Sequence, residues 1–280
     1  MSGPKAATTT AKGRTYGLEL PPPDGLVSLW SVTTIIGGGA PKPALLPWGI
    51  KATAEYAVAN WERLAAMARA ADGEPDALAS VVGWLKGAPY RDRDKKADLG
   101  TLFHSIAEAH ALGKPRPLVT PEVAPLVVQF ERFLADWRPE ILMSEATVYH
   151  RAESYAGTLD AIMRLGGRTV LADYKTGKDV YPEVALQLSA YARAEGVYLA
   201  PGSVATLPSL DGAVVIHVTD AAYRVVPVDI GESAWRSFRY VREVFRWMDE
   251  ISKGVLSEPL TAPVWPAPAR KPRAPRKVAA

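Results

Sequence analysis

Apolar and polar positions along this chain recur with two periods, and the changes between them outline its elements. Residues 26–36, LVSLWSVTTII, are β-branched and apolar and predict a strand that breaks at Gly37, Gly38 and Gly39. From about Pro47 to Ala71, Trp48, Ala52, Tyr56 and Ala59 fall at helical spacing, and a second helical piece covers roughly 75–86. Residues 90–98, YRDRDKKAD, read as a charged connector. Beyond Gly100 the pattern predicts a helix over 101–112. A second runs from about Pro121 to Trp137, with Thr120 as N-cap and proline at the first position. Three strand-like runs follow at 142–151, 156–165 and 168–176, and Gly166–Gly167 supplies a hairpin turn between the last two. Then come a helix from about Pro182 to Glu195, a hairpin of 213–219 with 222–229, and a helix from about Glu232 to Ser252. In that last helix Trp235, Phe238, Val241, Phe245 and Met248 step by three and four, which predicts a core stripe. This order predicts an α/β protein with one mixed sheet covered by helices.

Composition narrows the picture. With 280 residues, 48% of them hydrophobic, the chain can bury a sizeable core. Residues 1–25 read as disordered or extended and 262–280 as a disordered basic Pro/Ala tail, leaving 26–261 as one domain. Within it lie a helical part at about 47–90, a core at about 100–230 and the last helix. No apolar run approaches the roughly 20 residues that cross a bilayer, and no hydrophobic stretch follows the basic residues of MSGPKAATTTAKGR. An intracellular, cytoplasmic protein without membrane contact is expected. There is no cysteine, which excludes disulfides, cysteine-ligated zinc or iron–sulfur clusters and a thiol nucleophile. The net charge of +3 is uneven: residues 262–280 carry +5 and residues 1–14 carry +3, leaving −5 on 15–261. Basic arms around an acidic centre suit a nucleic-acid partner, and equally suit solvated tails.

The acidic centre has a pattern. Asp173 and Lys175 lie two apart on a strand, so they leave the same face, and Asp160 lies on the neighbouring strand. Two carboxylates and an ammonium are costly to bury unless they hold something, and Mg²⁺ or Mn²⁺ suits such oxygen donors. An exposed Asp–Lys ion pair fits the pair alone as well. His104 and Glu108 share one helix face, and Gln187 and Tyr191 share another; each pair taken alone also reads as a helix-surface feature. His110, His150 and His217 lack a comparable partner pattern and read as surface or packed histidines. Lys178, Arg91, Arg93, Lys95 and Lys96 are candidate contacts to a DNA backbone, though Asp92, Asp94 and Asp98 interleave with four of them.

Taken in order, the segments resemble RecB-like nucleases of the PD-(D/E)XK superfamily. GTLFHSIAE (100–108) is similar to their G-T-x-x-H-x-x-x-E segment, AGTLDAI to G-x-x-D, LADYKTGK to the (D/E)-x-K strand and QLSAY to the Q-x-x-x-Y helix. Thirteen residues separate the two aspartates and twelve separate Lys175 from Gln187, in keeping with that family. The stretch SVTTIIGGGAPKPALLPWGIKATAEYA also resembles the opening of phage-encoded exonucleases related to the CRISPR-associated members, so the likeness spans roughly 27–195. The resemblance implies a restriction-endonuclease-like core and Mg²⁺- or Mn²⁺-dependent hydrolysis of DNA by an activated water. It implies His104, Asp160 and Asp173 as metal ligands and Lys175 as the catalytic lysine. Gln187 and Tyr191 become supporting residues, and Glu108 a carboxylate near the metal. It implies an exonuclease of recombination, repair or phage DNA processing in a bacterial or phage-infected cell, working beside a recombination or single-strand-binding or annealing protein. The alternatives are a DNA-binding module with the same fold and little turnover, and a structure-specific endonuclease. Several relatives carry four cysteines for an iron–sulfur cluster; this chain has none, so no cluster is expected.

Overall fold

A computed structural model describes residues 7–10 and 12–261, without the side chains of 92–96. The first elements are strands: β1 (Ala7–Thr10), β2 (Gly13–Leu20) and β3 (Gly25–Ser31), paired antiparallel in succession. Of the two readings of this stretch, disordered or extended, the extended one describes residues 7–10 and 13–20. Tyr16, Leu18 and Leu20 are buried at period two, the mark of a half-buried strand. Residues 1–6 and the basic tail from 262 onward lie outside the described residues.

The glycine run expected to break a strand instead ends a helix, α1 (Val32–Gly39), capped by Ser31 accepting from the Thr34 amide at 3.0 Å. The reason is helix crossing. A Cβ on Gly39 would stand 2.1 Å from the carbonyl oxygen of Val241, and one on Gly38 2.7 Å from the Phe245 ring. Then come α2 (Leu45–Ala59), α3 (Trp61–Ala70), α4 (Pro75–Lys86) and α5 (Ala88–Ala111). Helix α5 absorbs the charged stretch 90–98, which was expected to be a connector. Nothing between Pro89 and Gly100 breaks a helix, and Arg, Lys and Ala favour one. Helix α6 (Ala124–Trp137) follows a turn at 121–123, so Thr120 precedes the helix by more than was expected.

The remaining elements are β4 (Glu140–His150), β5 (Tyr155–Leu165), β6 (Arg168–Lys175), α7 (Glu183–Ala192), β7 (Gly196–Ala200), β8 (Ser203–Ala205), β9 (Gly212–Val218), β10 (Tyr223–Val228) and α8 (Glu232–Asp249). Gly166 and Gly167, both at positive φ, make the turn of the β5–β6 hairpin. All ten strands join one mixed sheet, with β3–β5 and β6–β9 parallel and the other pairs antiparallel. Short β7 and β8 carry no turn-bounded alternating run and were not foreseen.

Helices cover both faces. On one, Val32 and Ile35 of α1, Val184 and Leu188 of α7 and Phe238 of α8 pack on Leu159, Leu171 and Val215. On the other, Phe103 and Ile106 of α5 and Phe130 and Phe133 of α6 pack on Met163, Tyr174 and Ile216. Of the stripe expected on α8, Phe238 and Phe245 are buried and Trp235 and Val241 partly so. Met248 is 61% exposed; ten residues beyond Phe238 it has turned about 80° off that face. Among the described residues no helix is long and apolar enough to cross a membrane.

The sheet parts along one edge of β5. Strand β5 pairs with β4 along one edge. Its other edge is shared: Tyr155 and Ala156 pair with β3, Ala161 to Leu165 with β6, and residues 157–160 with neither. Beyond Ala172, β6 leaves β5 and continues with β9 as far as the Lys175–His217 pair. Asp160 and Asp173 stand where the strands part.

Candidate functional site

The fork frees a backbone donor, and a side chain takes it. The Tyr174 amide, no longer bonded to β5, donates to Asp160 Oδ2 at 2.7 Å. Asp160 is thereby fixed within the opening, where it meets groups from both faces of the sheet. From α5 comes His104, whose Nδ1 lies 3.5 Å from Asp160 Oδ2. The ring lies edge-on to Phe103 and Tyr174, at centroid separations of 6.3 and 6.2 Å, and Phe130 packs edge-on against both of those rings. From α7 comes Gln187, donating through Nε2 to Asp173 Oδ1 at 2.9 Å. Asp173 and Lys175 share one face as the spacing predicts, with Nζ 2.6 Å from Oδ2. Asp160 does not share that face by simple alternation; it reaches the pair through the opening, and its charge is felt by both.

Electrostatics follow from burial. Desolvation, with the Asp160 charge added, pushes the Asp173 carboxyl up to about 6 despite the pull of Lys175. Burial also opposes the charge of Asp160, but His104, Lys175 and the Tyr174 amide outweigh it and hold that carboxyl below its ordinary range. For His104, burial works against protonation, and the bond and charge of Asp160 raise its pKa all the same. Lys175 is likewise raised, its burial overcome by Asp173 and Asp160. At neutral pH the cluster is therefore a lysine ammonium beside two carboxylates and a histidine.

Tyr191 is buried beside Gln187, and that burial pushes its pKa well up. Its ring lies over Gly157, where a Cβ would stand 2.4 Å from Cε1. This links two of the sequence motifs physically: the glycine three residues before Asp160 gives room for the tyrosine that backs Gln187. Glu108 is half-buried on α5, outside the group of converging metal-ligand atoms. Lys178 is exposed just past β6, and Arg91 is engaged in the helical part, donating to the Trp84 carbonyl at 2.9 Å. The side chains of Arg93, Lys95 and Lys96 lie outside the described residues.

One residue was missed. Glu145 of β4 stands opposite Asp160, in the register that pairs Ser144 with Ala161 and Ala146 with Leu159. One ligand atom each from His104, Glu145 and Asp160 lie within 4.8 Å of one another. Its φ of 50° is the left-handed region that a glutamate occupies only at a cost of about 1–3 kcal/mol. A lone acid inside the strand run LMSEATVYH was the available signal. The expected ligand set was His104, Asp160 and Asp173; the three atoms that converge are those of His104, Glu145 and Asp160, while Asp173 is turned to Lys175 and Gln187.

The donors suit a hard divalent cation, offering an imidazole nitrogen and carboxylate oxygens. Asp173 Oδ2 is buried against the Lys175 ammonium at 2.6 Å, so this carboxylate is already ion-paired on the side of the lysine.

Fold and site together define an α/β protein with a histidine–carboxylate–lysine cluster at the fork of a mixed sheet. Searched against protein-family models the chain matches none, and no curated protein matches it.

Proposed function

We propose that this protein is a metal-dependent deoxyribonuclease of the PD-(D/E)XK type, using Mg²⁺ or Mn²⁺ and acting as an exonuclease in recombination, repair or phage DNA processing. The observation that carries this reading is convergence. Four motifs separated by up to 83 residues of sequence (His104 to Gln187) meet at one opening in the sheet, in contacts of 2.6 to 3.5 Å. An incidental surface ion pair would not recruit a histidine and a glutamine from helices on opposite faces.

His104, Glu145 and Asp160 would hold the cation, with Asp173 as a neighbouring carboxylate. Bound there, the cation would supply positive charge against the phosphodiester oxygens and acidity for the attacking water. Lys175, kept charged by Asp173 and Asp160, orients that water and offsets the charge growing on the phosphate. Gln187 holds Asp173 by one oxygen so that the other faces the lysine. No side chain needs to form a bond to the DNA. Exonuclease rather than endonuclease action rests on the family likeness.

The test is DNA degradation with Mg²⁺, Mn²⁺ or EDTA, on end-labelled linear strands and duplexes and on closed circles. Metal-dependent shortening of linear DNA is expected, with circles intact. Cutting of closed circles would replace the exonuclease by an endonuclease. Binding without turnover in either metal would leave a DNA-binding module.

A further inference from the structure

After Lys175 ends β6, the chain turns through residues 176–182 before α7. Two side chains of the β9–β10 hairpin hold this turn. His217 is 1% exposed and is the parallel partner of Lys175, so the two side chains stand side by side on one face. Its Nε2 lies 2.8 Å from the Gly177 carbonyl oxygen, and its Nδ1 lies 2.9 Å from Arg224 Nη2. A guanidinium can only donate. Nδ1 must therefore accept, which places the ring proton on Nε2, donating to Gly177. Arg224 extends on to Asp179 Oδ1 at 3.5 Å, an exposed contact that contributes little alone. The buried bond of His217 is the principal tie, and Arg224 fixes its tautomer.

We propose that His217 is a positioning residue for Lys175: it clamps the turn two residues beyond the lysine to the β9–β10 hairpin. A glycine so close to the strand end would let β6 fray, and a lysine side chain on a flexible four-carbon stem would then lose its place. With Gly177 tied down, β6 stays paired to its last residue and the ammonium stays beside Asp173. This role rests on the nuclease reading above; the clamp itself does not need it.

The experiment therefore has two readouts. In metal-free protein, hydrogen exchange of the β6 amides at 171–175, paired with β9, should quicken by about tenfold or more in His217→Ala and return towards wild type in His217→Gln, which keeps a donor at the reach of Nε2. On DNA with Mn²⁺, His217→Ala should lose about 10–100-fold in kcat with KM little changed, and His217→Gln should recover most of it. A residue that only supports the core would lower the melting temperature without this split or this rescue. Unchanged exchange at the end of β6, or unchanged kcat in folded His217→Ala, overturns the proposal. Should the alanine variant not fold, Arg224→Met at the surface replaces it. Nitrogen NMR of His217 should then show Nε2–H in wild type and mixed tautomers in the variant, and a proton on Nδ1 in wild type refutes the clamp. If wild-type protein cleaves no DNA, the exchange and NMR results still stand or fall by themselves, so the two failures are distinguishable.

Discussion

Strand β5 and helix α2 are both rich in apolar residues, and they are held in opposite ways. Ten of the eleven residues of β5 are buried or half-buried, Arg164 excepted. None of the fifteen in α2 is buried, nor any of the ten in α3, and Trp48 and Trp61 are 44% and 64% exposed. The fork is fixed by packing on both faces of a sheet. The helical part is held by alanine-rich helix propensity and a few ring contacts: Tyr56 on Trp84, Arg91 over Tyr56 at 4.4 Å and Arg63 over Trp84 at 5.3 Å. Chemistry that needs side chains held within fractions of an ångström belongs on the first kind of support.

The largest effects should therefore come from the fork. Asp173→Ala and Lys175→Ala are each expected to lower cleavage by about a thousandfold, whereas Lys51→Ala on α2 should change it less than about twofold. Single-turnover assays on one linear substrate measure all three. Cleavage surviving in both fork variants would end the site assignment.

Metal binding should separate the regions next. Glu145→Gln is expected to weaken Mn²⁺ binding about 10–100-fold, read by calorimetry. The pH dependence has a definite sign. A cation needs Asp173 ionised and His104 unprotonated; Asp173 is raised to about 6 and His104 lies above its ordinary 6.5. Both take up protons as pH falls from 8 to 5.5, so Mn²⁺ affinity should fall over that window, by about tenfold per pH unit for each proton displaced. Affinity that is flat with pH would exclude His104 as a ligand and Asp173 as a charge on which the cation depends.

How far this was legible from sequence varied with the kind of signal. Alternation and turn chemistry gave β4, β5, β6 and the Gly166–Gly167 hairpin within a residue or two, because a sheet buried on both faces leaves strong runs. The meeting of His104, Asp160, Asp173, Lys175 and Gln187 was anticipated from motif order. Glu145 was not, because its place depends on cross-strand register with Asp160 and on a left-handed backbone, neither of which a local pattern displays. The glycines at 37–39 misled for a related reason. A lack of side chain reads locally as a break, and only the crossing with α8 reveals close packing.

A smaller effect, on stability rather than turnover, should come from Gly157→Ala. The added methyl would meet the buried Tyr191 ring and hydroxyl at 2.4 and 2.8 Å, with no solvent to move into. A cost of about 1–3 kcal/mol is expected from overpacking, measured by urea unfolding. Some cleavage should be lost too, since Tyr191 backs Gln187. Wild-type stability would mean that the tyrosine has room to move and that the fork is looser than its burial suggests.

Arg91→Ala should do least at the site. Its guanidinium spans the Tyr56 and Trp84 rings at 4.4 and 5.9 Å and donates to the Trp84 carbonyl, joining α2 and α4 to the start of α5. Removing it forfeits cation–π and hydrogen-bond contributions of about 1 kcal/mol each. His104 sits thirteen residues further along the same helix, roughly 20 Å away, where Phe103 and Tyr174 anchor it independently. The expected result is faster amide exchange confined to α2–α4, with cleavage changed less than about twofold. A large loss of cleavage would instead mean that strain in the helical part travels down α5 to the histidine, and the two regions would have to be treated as one mechanical unit.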